Sequence, residues 1–272
     1  MGLYDIMDEI AAKQVTKSET GDNRILGVVV GIVAKNYDQS MPGRICVQVP
    51  VRDDEANELQ WARLAMPSSG KKWGHYFLPE VGDQVLLAFE HGNIEKPYVI
   101  GCVPKDSNPF LTKAVQEKNQ YKKIVTKNGN TIQFEDCEEE DGAKDKISIY
   151  TPGQAHRVIL DNEKKQILVG DKDGKNQISI KTEDDSGRID VKTEKKLTLS
   201  VGDNIQVIMN ADSGTVSIKC GKFKVEATDG SQIETNGKLG LSGGTVSMEA
   251  SSMLKASSSG TTSIGGAPIK IG

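Results

Sequence analysis

From residue 121 to the end of the 272-residue chain, apolar and polar positions alternate with the period of two that marks β-strands. The stretch TLSVGDNIQVIMNADSGTVSIKCG, residues 198–221, is representative: short alternating runs broken every few residues by Gly, Asp or Asn. The same reading predicts strands in KIVTKNGNTIQFED, KISIYTP, HRVILDN, QILVGDKDG, QISIKTEDDSG, RIDVKT and LTLSVGD. It continues through IQVIMNAD, TVSIKCG, FKVEATDG, QIETNG, LGLSGG and TVSMEA. Between Gly153 and Ala267 no proline interrupts them, and side chains shrink into SSMLKASSSGTTSIGG near the end. Loose repetition of one strand-and-turn unit is the signature of a solenoid.

Residues 25–104 differ in kind. They hold most of the aromatic residues and prolines, and read as five or six strands. RILGVVVGIVAK is the first, RICVQVP the second, and LQWARLAMP the third after the acidic loop RDDEANE. WGHYFLP, VLLAFE and YVIGCV follow, separated by the turns EVGDQ and HGNIEKP. Short antiparallel strands with enough bulk for a small closed core predict a five-stranded barrel of the OB type. Residues 105–120 read as a linker. Ahead of the barrel, within residues 1–24, Leu3, Ile6, Met7, Ile10 and Ala11 fall on one helical face, with acids early and lysines late. A helix this short is marginal alone, so it is either a fraying terminus or a docking peptide for a partner.

The alternating half, 121–272, raises a problem of bulk. After Tyr150 its only aromatic is Phe223, and each strand carries one thin apolar face. Such strands cannot cover a core by themselves. The simplest remedy is three copies intertwined about one axis, each supplying a face of a narrow triangular prism. The fold class expected is therefore all-β: an N-terminal OB barrel followed by a C-terminal trimeric β-helix. In TVSIKCG and FKVEATDG the inward positions of this homotrimer would be Val216, Ile218, Cys220, Phe223 and Val225, with Lys219, Lys222 and Lys224 outside.

Composition narrows the function classes. The formal net charge is −4, so no global basic field exists to attract nucleic acid or anionic lipid. Cys46, Cys102, Cys137 and Cys220 are far apart and form no C-x-x-C pair, which reads as reduced thiols. The first residues have no apolar core of a signal peptide, and no run approaches the length of a membrane-spanning helix.

Each candidate for chemistry has a plainer reading. SSGKKW lacks the first glycine of a phosphate loop, because Ala65 sits there, and Lys72 replaces the Ser or Thr. GDKDG, residues 170–174, has carboxylates two apart but no downstream Glu, so it reads as a solvated turn rather than a calcium loop. The run EDCEEED, residues 135–141, reads as a charged loop rather than paired glycosidase acids. His91 precedes Gly92 in a turn, where a backbone role fits better than general-base work. No G-x-S-x-G elbow exists. Lys71 and Lys72 are isolated, so the barrel lacks the basic groove of an oligonucleotide binder. No catalytic residue, cofactor or metal site is predicted.

The barrel segment carries a family resemblance. Gly43-Arg44, Trp61-Ala62-Arg63, the turn Pro79-Glu80-Val81-Gly82-Asp83, and Phe89-Glu90-His91-Gly92 before Pro97 resemble the OB domain of VgrG and phage baseplate V (spike) proteins of contractile injection systems. The order of barrel, β-helix and Gly-rich taper also resembles that family. VgrG proteins carry a large hub region ahead of the barrel; only about 24 residues precede it here, so the resemblance implies a stand-alone spike whose hub is a separate protein. The end GGAPIKIG lacks the iron-binding H-x-H pair of some spikes, which implies a separate PAAR-like tip protein.

The resemblance thus implies a non-enzymatic central spike of a phage tail, tailocin or related injection machine. It would be made in the bacterial cytoplasm, built into a baseplate, and driven through a target envelope when the sheath contracts. Leu3, Ile6, Met7 and Ile10 would meet the hub. Ile264, Pro268, Ile269, Ile271 and Gly272 would dock the tip, unless those isoleucines only plug the prism's own end. The alternative is a trimeric tailspike enzyme that degrades surface polysaccharide, which the aromatic poverty after Tyr150 argues against.

Overall fold

In the computed structural model, the described residues are 15–17, 23–25, 27–49, 60–105, 108–138 and 141–270. They fall into two compact units, Met1–Leu197 and Thr198–Gly272, each described by itself. The first strands are β1 (Val15–Lys17) and β2 (Asn23–Ile25), which pair antiparallel. Five more form the barrel: β3 (Val28–Lys35), β4 (Arg44–Gln48), β5 (Gln60–Leu64), β6 (Gln84–Phe89) and β7 (Pro97–Cys102). They close in the order β3-β4-β5-β7-β6, all neighbours antiparallel except the parallel pair β5–β7.

Alternation in β3 explains how the barrel fills. Val29, Gly31 and Val33 point inward and are buried, while Val28, Val30 and Ile32 face out. With Ile45, Val47, Ala62, Val85, Leu87, Phe89 and Val99 they make a dry core of small and β-branched residues. Gly31 is needed there: a Cβ would lie 2.6 Å from Leu87 Cδ1 and 3.1 Å from the Gln48 carbonyl oxygen. The expected turn PEVGD forms with Gly82 at φ +91° and the Asp83 carboxylate accepting from the Glu80 amide at 2.9 Å.

Two expectations are corrected in this half. WGHYFLP forms no strand; Ser69 and Gly74 share a single bridge, and Trp73, Tyr76 and Phe77 are exposed. The parallel contact of β5 with β7 closes the barrel without a sixth strand. Residues 105–120 are more than a linker: Pro109–Ala114 form a short helix, α1, whose Asn108 side chain caps the Phe110 amide.

Beyond it the chain folds back and forth as one antiparallel meander. Its seven strands are β8 (Tyr121–Val125), β9 (Thr131–Glu135), β10 (Lys146–Tyr150), β11 (His156–Asp161), β12 (Gln166–Asp171), β13 (Gln177–Lys181) and β14 (Arg188–Lys192). Asn, Asp and Gly make the reversals; the Asp171 carboxylate, for instance, accepts from the amides of Lys175 and Asn176 and from the Asn176 side chain. Three further strands form a second sheet: β15 (Lys196–Val201), β16 (Ile205–Asn210) and β17 (Thr215–Lys219).

The all-β class with an OB barrel and a β-rich C-terminal half holds. Past β17 it meets a limit. The alternating segments FKVEATDG, QIETNG, LGLSGG and TVSMEA form no strand within the chain, and every side chain from 221 to 270 is exposed. A strand needs a neighbour for its backbone N–H and C=O groups, and among the described residues no strand pairs with these segments.

Candidate functional site

The meander's register brings its apolar residues into two rows on one face. Ile124, Ile132, Ile149, Val158, Val169, Ile178 and Val191 pair directly across all seven strands. One step along, Phe134, Ile147, Leu160, Ile167, Ile180 and Ile189 make a second row across β9 to β14. Six interstrand steps make the first row about 29 Å long and five make the second about 24 Å, with about 7 Å between them. Eleven of these thirteen side chains are exposed in the single chain, from 36% at Ile167 to 68% at Ile189.

The opposite face is polar yet better covered. Its central row is Lys123, Gln133, Ser148, Ile159, Leu168, Ser179 and Asp190, and Ser148 and Ser179 are buried between longer neighbours. Gln166 donates to the Ser179 hydroxyl at 2.7 Å. The usual arrangement of a half-solvated sheet is therefore inverted: the greasy side is the bare one.

Polar residues border the apolar rows. Beyond the first row the register continues through Thr126, Asn130, Thr151, His156, Asp171, Asn176 and Thr193. Several are joined across strands: Asn130 to Thr126 at 3.3 Å, Asn176 to Asp171 at 2.8 Å, and Thr193 to Asn176 at 3.0 Å. The Asn176 side chain and the turn amides hold the Asp171 carboxyl below the usual carboxylate range. With Phe77 above, the apolar row and this polar border line an open groove of about 860 Å³. Glu80 and Lys127, 2.8 Å apart, tie the loop bearing Phe77 to the β8–β9 turn.

In the second unit the same pattern recurs on a smaller scale. Met209 pairs with Val216 and Val207 with Ile218, all on one face. Val216 is 69% exposed and Ile218 51%. Phe223 and Val225, expected beside them, lie past the last ladder and are also exposed. At the far end Ile264 and Ile269 are exposed and Pro268 follows a cis bond, while Ile271 and Gly272 lie outside the described residues. Leu3, Ile6, Met7 and Ile10 also lie outside them.

Sequence reasoning found the strands of the meander but missed that their apolar positions align in two unbroken rows. The signal available was the alternation within each strand; how those faces line up depends on the register between strands. Groups weighed for chemistry sit in plainer roles. His91 occupies a left-handed turn position at φ 53° beside Gly92, and both Asp171 oxygens serve their own turn. Among the described residues no group of three His, Cys, Asp or Glu is placed to hold a metal ion.

Fold and face together define a class: an OB barrel continued by β-sheet whose apolar side is exposed among the described residues. Residues 29–103 match the type VI secretion system/phage-baseplate injector OB domain. The chain is 28% identical over 245 residues to the type VI secretion system spike protein VgrG1a of Pseudomonas aeruginosa, covering 80% of this chain and 38% of that protein. It is 28% identical over 119 residues to VgrG1b and 30% identical over 91 residues to VgrG2a of the same organism, spanning 16% and 11% of their lengths. Residues 29–103 thus match the injector OB domain, and most of the chain is similar to a VgrG spike protein.

Proposed function

We propose that this protein is the non-enzymatic central spike subunit of a contractile injection system. Three copies close their apolar faces around a common axis to make a stiff needle below three OB barrels. The observation that carries this is the two-row apolar face, about 29 Å along its longer row and exposed among the described residues. Faces of that size on soluble proteins mark association. A polar border beside a narrow apolar stripe suits the corner of a prism, where solvent returns.

Residues 221–270 support the same reading from another side. These fifty residues pair with no strand among the described residues, and their natural partners are the equivalent segments of other copies. Val216, Ile218, Phe223 and Val225 would then face the axis. The needle works mechanically: closed backbone hydrogen bonding leaves no free sheet edge, and the short reversals leave little to catch as it crosses an envelope.

The barrel end and the segment with Leu3, Ile6, Met7 and Ile10 would contact the baseplate hub. Ile264, Pro268, Ile269, Ile271 and Gly272 would form a platform for a PAAR-like tip protein. Neither cofactor nor nucleic acid has a part in this scheme, and the relatives are themselves named as spike proteins.

Sedimentation equilibrium tests the core of the proposal, with three times the 29.4 kDa chain mass expected. A folded monomer at micromolar concentration would reject it. For the tip, deletion of Ala267 to Gly272 should leave the trimer intact but abolish capture of the cap protein. Retained capture rejects the platform, and collapse of the trimer favours a plug.

A further inference from the structure

The outer wall of the barrel holds a second feature, independent of the needle. Arg44 on β4 and Arg63 on β5 are directly paired in register on the outward face. Side chains so placed have Cβ atoms about 4.5–5.5 Å apart, and like charges there repel. A fold normally answers such a pair with a carboxylate. Among the described residues neither guanidinium has a hydrogen-bond or ion-pair partner.

Both arginines line a recess of about 290 Å³ with Trp61, Glu90, Glu95, Lys96, Pro97 and Tyr98. Trp61 precedes Arg63 by two on β5, and Tyr98 pairs with Arg63 across the parallel β5–β7 contact, so all three share the outward face. The recess thus has aromatic walls and two unneutralised forks. Its own Glu90 is already engaged: Lys96 lies 3.4 Å away and the Tyr98 hydroxyl donates to it at 3.3 Å. Three cations against two carboxylates leave a surplus of one positive charge.

We infer that this recess is a docking site for an acidic peptide segment of a partner protein, taking one Asp or Glu side chain between Arg44 and Arg63. Planar guanidinium forks match a carboxylate edge on, and the aromatic walls exclude water from the pair. The volume admits about one side chain, and a surplus of one charge suits one carboxylate. Glu95 at the site opposes a polyanion, so a nucleic acid strand fits poorly. The site lies on the second and third barrel strands, the wall on which OB folds commonly present ligand contacts.

The test uses the whole chain in its native assembly with Trp73→Phe, which leaves Trp61 as the only tryptophan. The probe is a short acetylated, amidated peptide carrying one Asp and one Glu; its control carries Asn and Gln instead. Trp61 emission should change saturably with the acidic peptide alone. Arg44→Gln and Arg63→Gln should each weaken binding about tenfold or more. Arg63→Lys, which keeps the charge but loses the fork, should weaken it less than Arg63→Gln, and Lys71→Gln should change nothing. Unaltered far-ultraviolet circular dichroism and melting will show that the arginine variants remain folded. The inference is overturned by an equal response to the amide peptide, by no saturation up to about 10 mM, or by unchanged affinity in both glutamine variants. A single-stranded oligonucleotide that binds more tightly and is lost in the same variants would also overturn it.

Discussion

Val169 lies next to the centre of the first apolar row, paired with Val158 on one side and Ile178 on the other, and is 45% exposed in the single chain. If that face meets only water, Val169→Asp is a surface change worth within about 0.5 kcal/mol. If it lines a three-fold axis, the effect is different in kind. About half of a side chain worth 1.5–3 kcal/mol of burial remains to be covered, so each copy forfeits about 1 kcal/mol. Each copy also places an unpaired carboxylate in the interior, at several kcal/mol apiece, and three of them repel one another. The total is on the order of 10 kcal/mol per trimer, enough to prevent assembly at micromolar concentration.

Burial raises the pKa of an isolated carboxyl, because the charged form is the one disfavoured. The sign follows: the variant's assembly defect is full at neutral pH and shrinks as pH falls and the buried group protonates. Val169→Asn, polar but uncharged, should be intermediate and insensitive to pH. Gln133→Glu, on the opposite face of β9, should be silent. Sedimentation equilibrium and thermal melting at pH 7.5 and pH 5 read all four proteins. A Val169→Asp variant that assembles and melts like the parent at both pH values would refute the shared-axis reasoning.

Other predictions test different parts of the chain. Gly31→Ala should destabilise the barrel by about 1–3 kcal/mol, since the new methyl meets a backbone oxygen as well as Leu87; urea unfolding followed by Trp61 emission measures it. Ile218→Asp should disrupt assembly while Lys222→Asp leaves it unchanged, as size-exclusion chromatography would show. Asp161 is almost fully buried, lies 3.4 Å from Lys146 and accepts from the Lys164 amide. Asp161→Asn should therefore cost about 1–3 kcal/mol in urea unfolding. Depressed carboxyls, Asp171 held by Asn176 and the turn amides and Glu90 by Lys96 and Tyr98, add stability above about pH 4 that is lost as pH falls through their lower folded values. Melting temperature should decline on acidification below pH 4, and Asp171→Asn should remove part of that slope.

The alternation of apolar and polar residues and the Asn, Asp and Gly reversals determined by themselves where the strands from β8 to β17 run and where the chain turns back between them. The composition break near residue 105 likewise separated barrel from meander. These are local properties: the two-residue period and the left-handed freedom of glycine act within a few residues. The barrel markers at Arg44, Trp61 and Arg63 were also legible as a family pattern. What they do together was not, because Arg44 and Arg63 are 19 positions apart in sequence and meet only through the β4–β5 register. Only the tertiary structure decided that WGHYFLP stays outside the sheet, since a strand forms where a partner edge is free and β7 had taken it. The same holds for the two apolar rows. Each strand's pattern says that one face wants burial, but only the pairing of seven strands in one register places all those faces on the same side. Among the described residues strand pairing then ends at Lys219, because a strand can pair only with an edge that some chain supplies.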